Sequence, residues 1–526
     1  MILQSKYIED ENGVKFAPIT TPNAIRWPDG SNLNDKLVAA ETINITLATS
    51  DSPATSPLSG VHIKIVSNEN PEEVIYSTTW GGTQITTSIP TTATLRLIVE
   101  DEITDYFKPH DVVFTPKFGN TRNVTLTYRL IADAIDSIYI DDTISDPDKK
   151  VTGDVNGDVI KYIRSNFHRY AAVNDNGTLK VCQTDDNNSL FLANGDVISG
   201  YYENFEVYVC CKVPIYTYYE VDNTLGHARH KISFSVGNHT NWKDWHFGIG
   251  SNKIAIGAVK ACDLEDYASS AIWHSPLLLT KSDIEYVPEH LRTNTRFAGW
   301  AEHCIMNVLF YAIYGTTDSV RTLGYGGHYT GNGGSTPRNT GVTYNIGMKD
   351  TKYSDNLYNR MVYNTTFINF CGLEDWYGNG SEIIIDAKFH NQSSNTILDI
   401  VNPSGTVLRS FTFPTPFNIS FWKSMVFGEN LDIVPTSNSV ETQYIDILKK
   451  SDYCSAQNIG YYELDLSEYL IIRGGWWGNL LNNPEEESDY TNAATLGDDN
   501  SGTGRLCFEG TIQELTATEF ENLITN

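Results

Sequence analysis

The stretch Gly372-Leu373-Glu374-Asp375-Trp376-Tyr377-Gly378-Asn379 narrows the fold of this chain more than any other part of its sequence. A strongly β-forming run follows it, Glu382-Ile383-Ile384-Ile385-Asp386. Downstream, the apolar run Tyr469-Leu470-Ile471-Ile472 leads into Arg473-Gly474-Gly475-Trp476-Trp477-Gly478-Asn479, and Gly504-Arg505-Leu506-Cys507 comes last. Consecutive glycines let a backbone approach its neighbours closely or adopt a positive φ. The last third of the chain is therefore predicted to contain strands joined to turns rich in glycine and tryptophan.

Together these motifs resemble the hallmarks of the C-type-lectin-like fold, in the branch that contains formylglycine-generating enzymes and phage tropism determinants. The resemblance implies a tight turn at Gly378-Asn379 leading into a core strand, and a core position for Trp477. The chain departs from the family pattern at Gly380-Ser381 and at Ile383, and it lacks a Phe between Gly504 and Arg505. We expect the fold to be defined by Gly372, Asp375, Trp376, Gly378, Asn379, Glu382, Arg473, Gly474, Gly475, Trp477, Gly504 and Arg505.

The composition is that of a long, acidic and aromatic chain. Its 526 residues exceed one ordinary core, and a hydrophobic content of 40% suffices for several. An aromatic content of 12%, with only 5 Met, favours strands over helices. The net charge of −28 repels phosphate backbones and anionic membrane surfaces. We therefore expect a multidomain, mainly β protein that does not bind nucleic acid.

No targeting or membrane segment is recognisable in the sequence. The start runs directly into Glu9-Asp10-Glu11 without the apolar core of a signal peptide. The most apolar stretch, residues 304–314, is well short of the roughly 20 residues that span a bilayer. Eight cysteines without a Cys-x-x-Cys pair predict buried free thiols rather than a disulfide scaffold. These features predict a protein that is made in a cytoplasm and does not insert into a membrane.

The order of patterns predicts several domains. Residues 1–40 are interpreted as an attachment segment, whose wording resembles the openings of tail and fibre proteins of phages that infect Bacteroidetes-type bacteria. Residues 41–130 alternate apolar and polar positions and predict an Ig-like β-sandwich spacer, with strands near 43–47, 61–66, 84–89, 94–99, 111–114 and 122–128. An Asp-rich linker (131–159), a β-rich region that is separate or merges onward (160–279), and an α+β C-type-lectin-like domain (280–526) with a helix over 299–314 complete the prediction.

Two segments have the composition of binding loops. Residues 479–502 are rich in Asn, Ser, Gly and Tyr, and residues 324–334 combine glycines with Tyr and His. Such residues dominate antibody-type loops, where tyrosine supplies rigid contact area and short polar groups adapt their hydrogen bonds. The alternatives are a solvated loop for the first segment and a subunit contact for the second. The candidate receptor-binding residues are Trp476, Asn479, Asn482, Asn483, Asp489, Tyr490, Asn492, Tyr325, His328 and Tyr329.

No catalytic, metal or cofactor site is predicted. Cys507 has no cysteine close to it in sequence, whereas the formylglycine-generating enzyme relies on a close pair. Asp154, Asn156 and Asp158 begin like a calcium loop, but the twelfth position is Ser165 rather than Glu, so an Asn-Gly turn is favoured. Four histidines could gather at a metal, although histidines at strand ends are usually solvated: His227, His230, His239 and His246.

The resemblance implies recognition by variable loops on a rigid frame. We expect a phage virion protein, in a tail fibre, head fibre or baseplate, whose C-terminal domain adheres to a bacterial surface glycan or protein. Its expected partners are further copies of itself in a homotrimer, and other virion proteins through the N-terminal segment. The alternative is a structural decoration or collar protein that uses the same fold for subunit contacts.

Overall fold

The computed structural model describes residues 41–51, 58–89, 93–117, 119–144, 146–199, 204–264, 267–271, 274, 276–277, 291–317, 319–323, 339–354, 366–376, 382–392, 395–414, 423–437, 459–463, 468–473, 495–496 and 503–525. The chain divides into two units, residues 1–134 and 135–526. Strands dominate both units, so the prediction of a multidomain, mainly β chain is confirmed.

The described part of the first unit is an Ig-like β-sandwich of two four-stranded sheets, ordered β4-β1-β8-β6 and β3-β2-β5-β7. Every second residue of β1 is buried, as the alternating sequence predicts, and Ile43, Ile45 and Leu47 enter a core that also holds Trp80. All six predicted strands are present, and two more join them. The strands are β1 (Glu41–Thr49), β2 (His62–Ser67), β3 (Val74–Thr79), β4 (Ile85–Ile89), β5 (Leu95–Val99), β6 (Tyr106–Phe107), β7 (Val112–Phe114) and β8 (Thr121–Leu130).

The second unit contains a longer series of strands and several helices. Its strands are β9 (Asp136–Ile140), β10 (Val151–Gly153), β11 (Phe167–Asp175), β12 (Thr178–Gln183), β13 (Glu206–Cys211), β14 (Tyr216–Asp222), β15 (Arg229–Ser235), β16 (Lys243–Asp244), β17 (Gly250–Lys260), β18 (Cys262–Leu264), β19 (Tyr267–Ser269), β20 (Thr295–Phe297), β21 (Thr351–Ser354), β22 (Thr366–Phe370), β23 (Leu373–Glu374), β24 (Glu382–Gln392), β25 (Asn395–Val401), β26 (Val407–Pro414), β27 (Lys423–Phe427), β28 (Asp432–Ser437), β29 (Ile459–Glu463), β30 (Glu468–Arg473), β31 (Thr495–Leu496) and β32 (Arg505–Glu514). The helices are α1 (Pro147–Lys150), α2 (Asp158–Ser165), α3 (Trp300–Tyr314), α4 (Ser319–Leu323) and α5 (Ala517–Thr525).

Strand β32, near the C-terminus, ties the early and late parts of this unit together. It pairs with β17 and β20 in the sheet β12-β11-β13-β17-β32-β20, and it also pairs with β12, which closes a small barrel. Buried Tyr170, Tyr208, Leu506 and Phe508 belong to the core of this barrel. The β-rich region around 160–279 and the C-terminal strand β32 therefore share this barrel.

The segment predicted as an Asp-rich linker contains regular structure instead. Strands β9 and β10 lie in a sheet ordered β10-β9-β15-β14-β16, and α1 and the start of α2 also lie within residues 131–159. Several of its aspartates are fixed by hydrogen bonds. The Asp136 carboxylate accepts the amides of Val159 and Ile160 at the start of α2, at 2.8 and 3.1 Å. An Asp-rich composition is typical of linkers, but aspartate also caps helices, and capping is its role here.

Helix α3 agrees closely with the predicted helix over 299–314. It begins after Gly299, whose amide donates to the Glu302 carboxylate (2.8 Å), and it ends at Gly315, which has a φ of 68°. The sequence predicts one apolar stripe, whereas the helix is buried on nearly all sides, including His303 and Asn307. A second six-stranded sheet, β26-β25-β24-β30-β29-β31, includes the predicted strands at 382–386 and 469–472.

Candidate functional site

The first and third sequence motifs meet at the guanidinium of Arg505. It donates to the Glu382 carboxylate (Nε to Oε1, 3.0 Å) and to the carbonyl oxygens of Glu374 (2.8 Å) and Asp375 (3.0 Å). A further bond reaches the carbonyl of Gly257 in β17, at 3.0 Å. One side chain therefore joins β32, the turn after β23, the start of β24 and β17.

Two further groups complete what we call the ionic hub, formed by Lys260, His303, Glu382 and Arg505. Lys260 Nζ lies 2.9 Å from Glu382 Oε1, and His303 Nε2 lies 3.2 Å from Glu382 Oε2. These four residues are between 1% and 5% exposed. Burial acts to raise the pKa of Glu382, but the charges of Arg505 and Lys260 outweigh it and hold that pKa well below its ordinary value. The hub therefore contains a carboxylate that stays ionised because two cations share it.

The carboxylate of Glu374 extends this network to residues 341–343. It accepts the amide of Gly341 (2.6 Å) and both the amide and the hydroxyl of Thr343 (2.6 and 2.8 Å). The carbonyl of Glu374 accepts a hydrogen bond from Arg505. Glu374 therefore connects residues 341–343 to the ionic hub. Residues 341–343, which follow the candidate segment 324–334 in the chain, are thus tied to the buried core.

A second buried arginine supports the same region. Arg169, on β11, donates to the carbonyl of Gly372 (2.7 Å), to Thr343 (2.7 Å to its hydroxyl) and to Asn369 Oδ1 (2.9 Å), and its guanidinium lies over the Tyr344 ring at 5.0 Å. Burial lowers the pKa of Arg169. With a further bond to the Thr343 carbonyl at 3.2 Å, four hydrogen bonds and one cation–π contact on a fully buried cation hold the first motif against the barrel.

The ends of the segment between Arg473 and Thr503 lie on either side of Glu382. Arg473 is the antiparallel partner of Glu382 in the β24–β30 register, and Thr503 forms a parallel bridge with Glu382. The amide of Ile383 donates to the Thr503 carbonyl at 2.9 Å. The chain therefore leaves and returns beside the start of β24. The side chain of Glu382, the first residue of that strand, belongs to the ionic hub.

Two glycines of the motifs are explained by close packing. Gly504 lies against the ring of Phe297, where a Cβ atom would collide with ring carbons. Gly372 has a φ of 81°, and a Cβ there would lie 2.7 Å from Met348 Sδ. Gly372 and Asp375 of the first motif have a positive backbone φ, as does Cys371 just before it. Trp376 is buried and packs against Phe370, with ring centroids 5.1 Å apart.

The candidate receptor-binding residues all lie outside the described residues, as do Gly378, Asn379, Gly474, Gly475 and Trp477. Among the described fold-defining residues, Glu382 and the carbonyl of Asp375 contact Arg505 directly. Gly504 precedes Arg505 in the chain, and Arg473 pairs with Glu382 in the strand register. Lys260 and Arg169 were missed by the sequence analysis. A signal existed for both, since each cation interrupts an apolar strand, Ile254-Ala255-Ile256-Gly257-Ala258-Val259-Lys260 and Phe167-His168-Arg169-Tyr170-Ala171-Ala172-Val173.

The described cysteines lie in surroundings that disfavour the thiolate. Seven cysteines are buried and free of disulfides, and burial raises the pKa of Cys371 and Cys507, which disfavours the reactive thiolate. Asp154 accepts the amide of Ser137 (2.9 Å), and Asn156 adopts a left-handed turn with a φ of 51°. Within the described ranges, no group of three His, Cys, Asp or Glu side chains is arranged to hold a metal.

Asp386 provides a pH-dependent test of the frame. Its carboxylate accepts the amide of Trp300 at 2.9 Å, and burial raises its pKa to about 6. Ionisation is therefore harder in the folded state than in the unfolded state. We expect Asp386→Asn to stabilise the protein by up to about 3 kcal/mol above pH 6, because each tenfold change in a protonation equilibrium corresponds to roughly 1.4 kcal/mol.

Chemical denaturation of both proteins between pH 3.5 and 8 measures this effect. The difference between variant and wild type should grow as the pH rises from about 4 to 6 and stay constant above that range. Asp148→Asn, at a helix start where the carboxylate accepts the hydroxyl of Thr316, serves as a control. A difference that stays constant across the whole range would contradict the elevated pKa.

The comparisons with known proteins add little to this description. No protein-family profile and no curated protein matches the sequence. Among solved structures, the shaft pilin SpaA from Lactobacillus rhamnosus GG is similar at 14% identity, covering 30% of this chain and 68% of that chain, with a TM-score of 0.15. A single-substitution mutant of that pilin is 14% identical, with 27% of this chain covered, 61% of that chain and a TM-score of 0.14. The match to the mutant thus spans less than two thirds of the length of that pilin chain. Structural similarity at these TM-scores does not indicate a function for this chain.

No helix within the described ranges combines the length and the apolar character needed to cross a membrane.

Proposed function

We propose that this chain is a phage virion protein, in a tail fibre, head fibre or baseplate, that adheres to a bacterial surface glycan or protein. The contacts come from the segment between Arg473 and Thr503 and from residues 324–334, in a domain of the C-type-lectin-like type. The observation that carries the proposal is that Arg473 and Thr503 lie on either side of Glu382, whose side chain belongs to the buried ionic hub.

This arrangement suits recognition because it separates a rigid support from segments with the composition of loops. Binding residues are commonly carried by connecting segments that a stable scaffold positions. The buried charges of the ionic hub fix the backbone near the ends of these segments. A loss of position there would weaken any contact that the segments make. The segments themselves are rich in Asn, Ser, Gly and Tyr, a composition suited to adaptable contacts.

The proposed partners follow from the same arrangement. Several copies per virion, which we propose to be homotrimers, would multiply weak individual contacts. Residues 1–40 would attach the chain to other virion proteins, and the protein would be made in the host cytoplasm. The net charge of −28 disfavours nucleic acid and anionic membranes as ligands. No enzymatic activity and no cofactor are part of the proposal.

Binding of the full-length protein to intact candidate host cells tests this function. The double variant Trp476→Ala, Tyr490→Ala should lose binding by at least about tenfold, because tyrosine and tryptophan anchors dominate such interfaces. Its unfolding midpoint should match that of the wild type. Tyr76→Ala, a half-buried aromatic on β3 of the first unit, is the matched control and should bind normally.

The competing role is a structural decoration or collar protein whose segments contact neighbouring subunits. If a folded wild-type protein binds no cell in a panel that includes the true host, adhesion is contradicted and the structural role is favoured. Binding that the double variant retains would instead contradict the assignment to these segments.

A further inference from the structure

The sheet β10-β9-β15-β14-β16 has one buried face and one partly accessible face, on which Tyr218 is exposed and Ser233 is only 5% exposed. Ile138, Ile232 and Phe234 point into the core and are fully buried. Because side chains alternate along strands, the neighbours of these residues lie on the opposite face. The strand registers place Ser137, Ser233 and Tyr218 in one row across that face, and Thr152, Tyr139, Lys231 and Glu220 in the next row.

Aromatic side chains form a wall at one end of this face. Tyr218 is 39% exposed and stacks with Trp242, with ring centroids 5.9 Å apart and an interplanar angle of 26°. His239 packs against Trp242 at 4.8 Å, and its Nε2 lies 2.9 Å from the Ser235 hydroxyl. The amide of Trp242 donates to the His239 carbonyl, so the wall is held by its own turn.

The floor beside this wall is made of hydroxyl groups. Ser137 Oγ and Ser233 Oγ lie 2.8 Å apart, directly in line with Tyr218. Beyond them, Tyr139 lies under the guanidinium of Arg229 at 4.5 Å. We call Ser137, Tyr139, Tyr218, Ser233 and Trp242 the polar-aromatic face.

The charges around this face are paired with one another. Lys231 Nζ lies 2.6 Å from Glu220 Oε1, and Arg229 forms an ion pair with Asp222. In a chain with a net charge of −28, this face is locally balanced. A charged ligand would find no unpaired counter-ion among these groups, whereas a neutral ligand rich in hydroxyls would meet hydroxyl partners and aromatic rings.

We infer that the polar-aromatic face binds a neutral saccharide. Aromatic rings have a negative face, which attracts the weakly positive C–H bonds on one side of a sugar ring. The exposed ring of Tyr218, held by its stacked partner Trp242, would pack on that side. The hydroxyls of Ser137 and Tyr139 would exchange hydrogen bonds with the sugar hydroxyls, while the buried Ser233 holds Ser137 in place. This site lies in the β9–β16 region and is separate from the C-terminal segments proposed for adhesion.

Affinity gel electrophoresis of the full-length protein tests the inference. The gels contain one neutral polysaccharide each, from a panel of dextran, mannan, galactan, xylan and soluble starch, with anionic alginate as the charged comparison. At least one neutral polysaccharide should retard the protein and alginate should not. Trp242→Ala and Tyr218→Ala should each weaken the retardation on the order of tenfold.

The control variants separate this site from the rest of the chain. Val221→Ala lies on the same strand but on the other face, and it should retain full retardation. Trp476→Ala, Tyr490→Ala should also retain it, so a failure of the adhesion proposal leaves this result untouched. The inference is overturned if no neutral polysaccharide retards the wild type, if alginate retards it equally, or if folded Tyr218 and Trp242 variants bind like the wild type.

Discussion

Replacing Arg505 with alanine is expected to lower the free energy of unfolding of the second unit by about 3–5 kcal/mol. The variant leaves the Glu382 carboxylate buried with one strong cation in place of two, and it leaves the carbonyls of Glu374, Asp375 and Gly257 without their donor. Breaking a buried ion pair is costly because the remaining charge has no water around it. Urea denaturation of the full-length protein, followed by tryptophan fluorescence, measures the change.

Two companion variants sharpen this result. Arg505→Lys keeps the charge but cannot make the forked contacts to three carbonyls, so it should lose part of the stability. Lys180→Ala removes a partly exposed ion pair to Asp175 on the barrel strand β12 and should cost less than about 1 kcal/mol. If Arg505→Ala costs no more than Lys180→Ala, the ionic hub does not stabilise the frame.

Replacing Arg169 with methionine should cost about 3 kcal/mol, since several buried acceptors lose their donor at once. The carbonyls of Gly372 and Thr343 and the side chain of Asn369 have Arg169 as a common partner. Methionine fills a similar volume, so the loss reflects hydrogen bonding rather than a cavity. Burial already disfavours the charged form of Arg169, which is why we expect a smaller effect than for Arg505.

Lys212→Met is the matched control for this second substitution. Lys212 lies just after β13, is partly exposed and pairs with Glu514 at 3.5 Å, so its removal should be nearly neutral. Thermal unfolding monitored by circular dichroism compares the two variants. Equal unfolding midpoints for Arg169→Met and wild type would show that these four contacts contribute no net stability.

Local patterns in the sequence predicted the local structure well. Alternation located the strands of the first unit, and the apolar spacing located α3 with its boundaries, because both patterns reflect which face of an element is buried. The motif residues Glu382 and Arg505 were also identified, since resemblance relates positions that are far apart in the chain. Their contact to Lys260 was not predicted, because no local pattern tells where a buried lysine finds its carboxylate.

Other features of the second unit depend on long-range pairing. Strand β32 joins β12 and β17 across more than half of the unit, and no sequence spacing reveals such a partner. The Asp-rich stretch at 131–159 was interpreted from composition, whereas Asp136 and Asp154 are fixed by backbone amides that only the fold brings near them. The candidate receptor-binding residues lie outside the described residues and stay predictions.

Hydrogen exchange tests whether the two candidate segments contact the bacterial surface. Amide exchange of the full-length protein is measured by mass spectrometry with and without a solubilised envelope fraction of the host that it binds. We predict slower exchange in residues 474–502 and 324–334 when the fraction is added, with the peptides around Lys260 and Glu382 slow and unchanged in both samples. Protection confined to other parts of the chain, or no protection at all with a fraction that binds, would contradict adhesion through these segments.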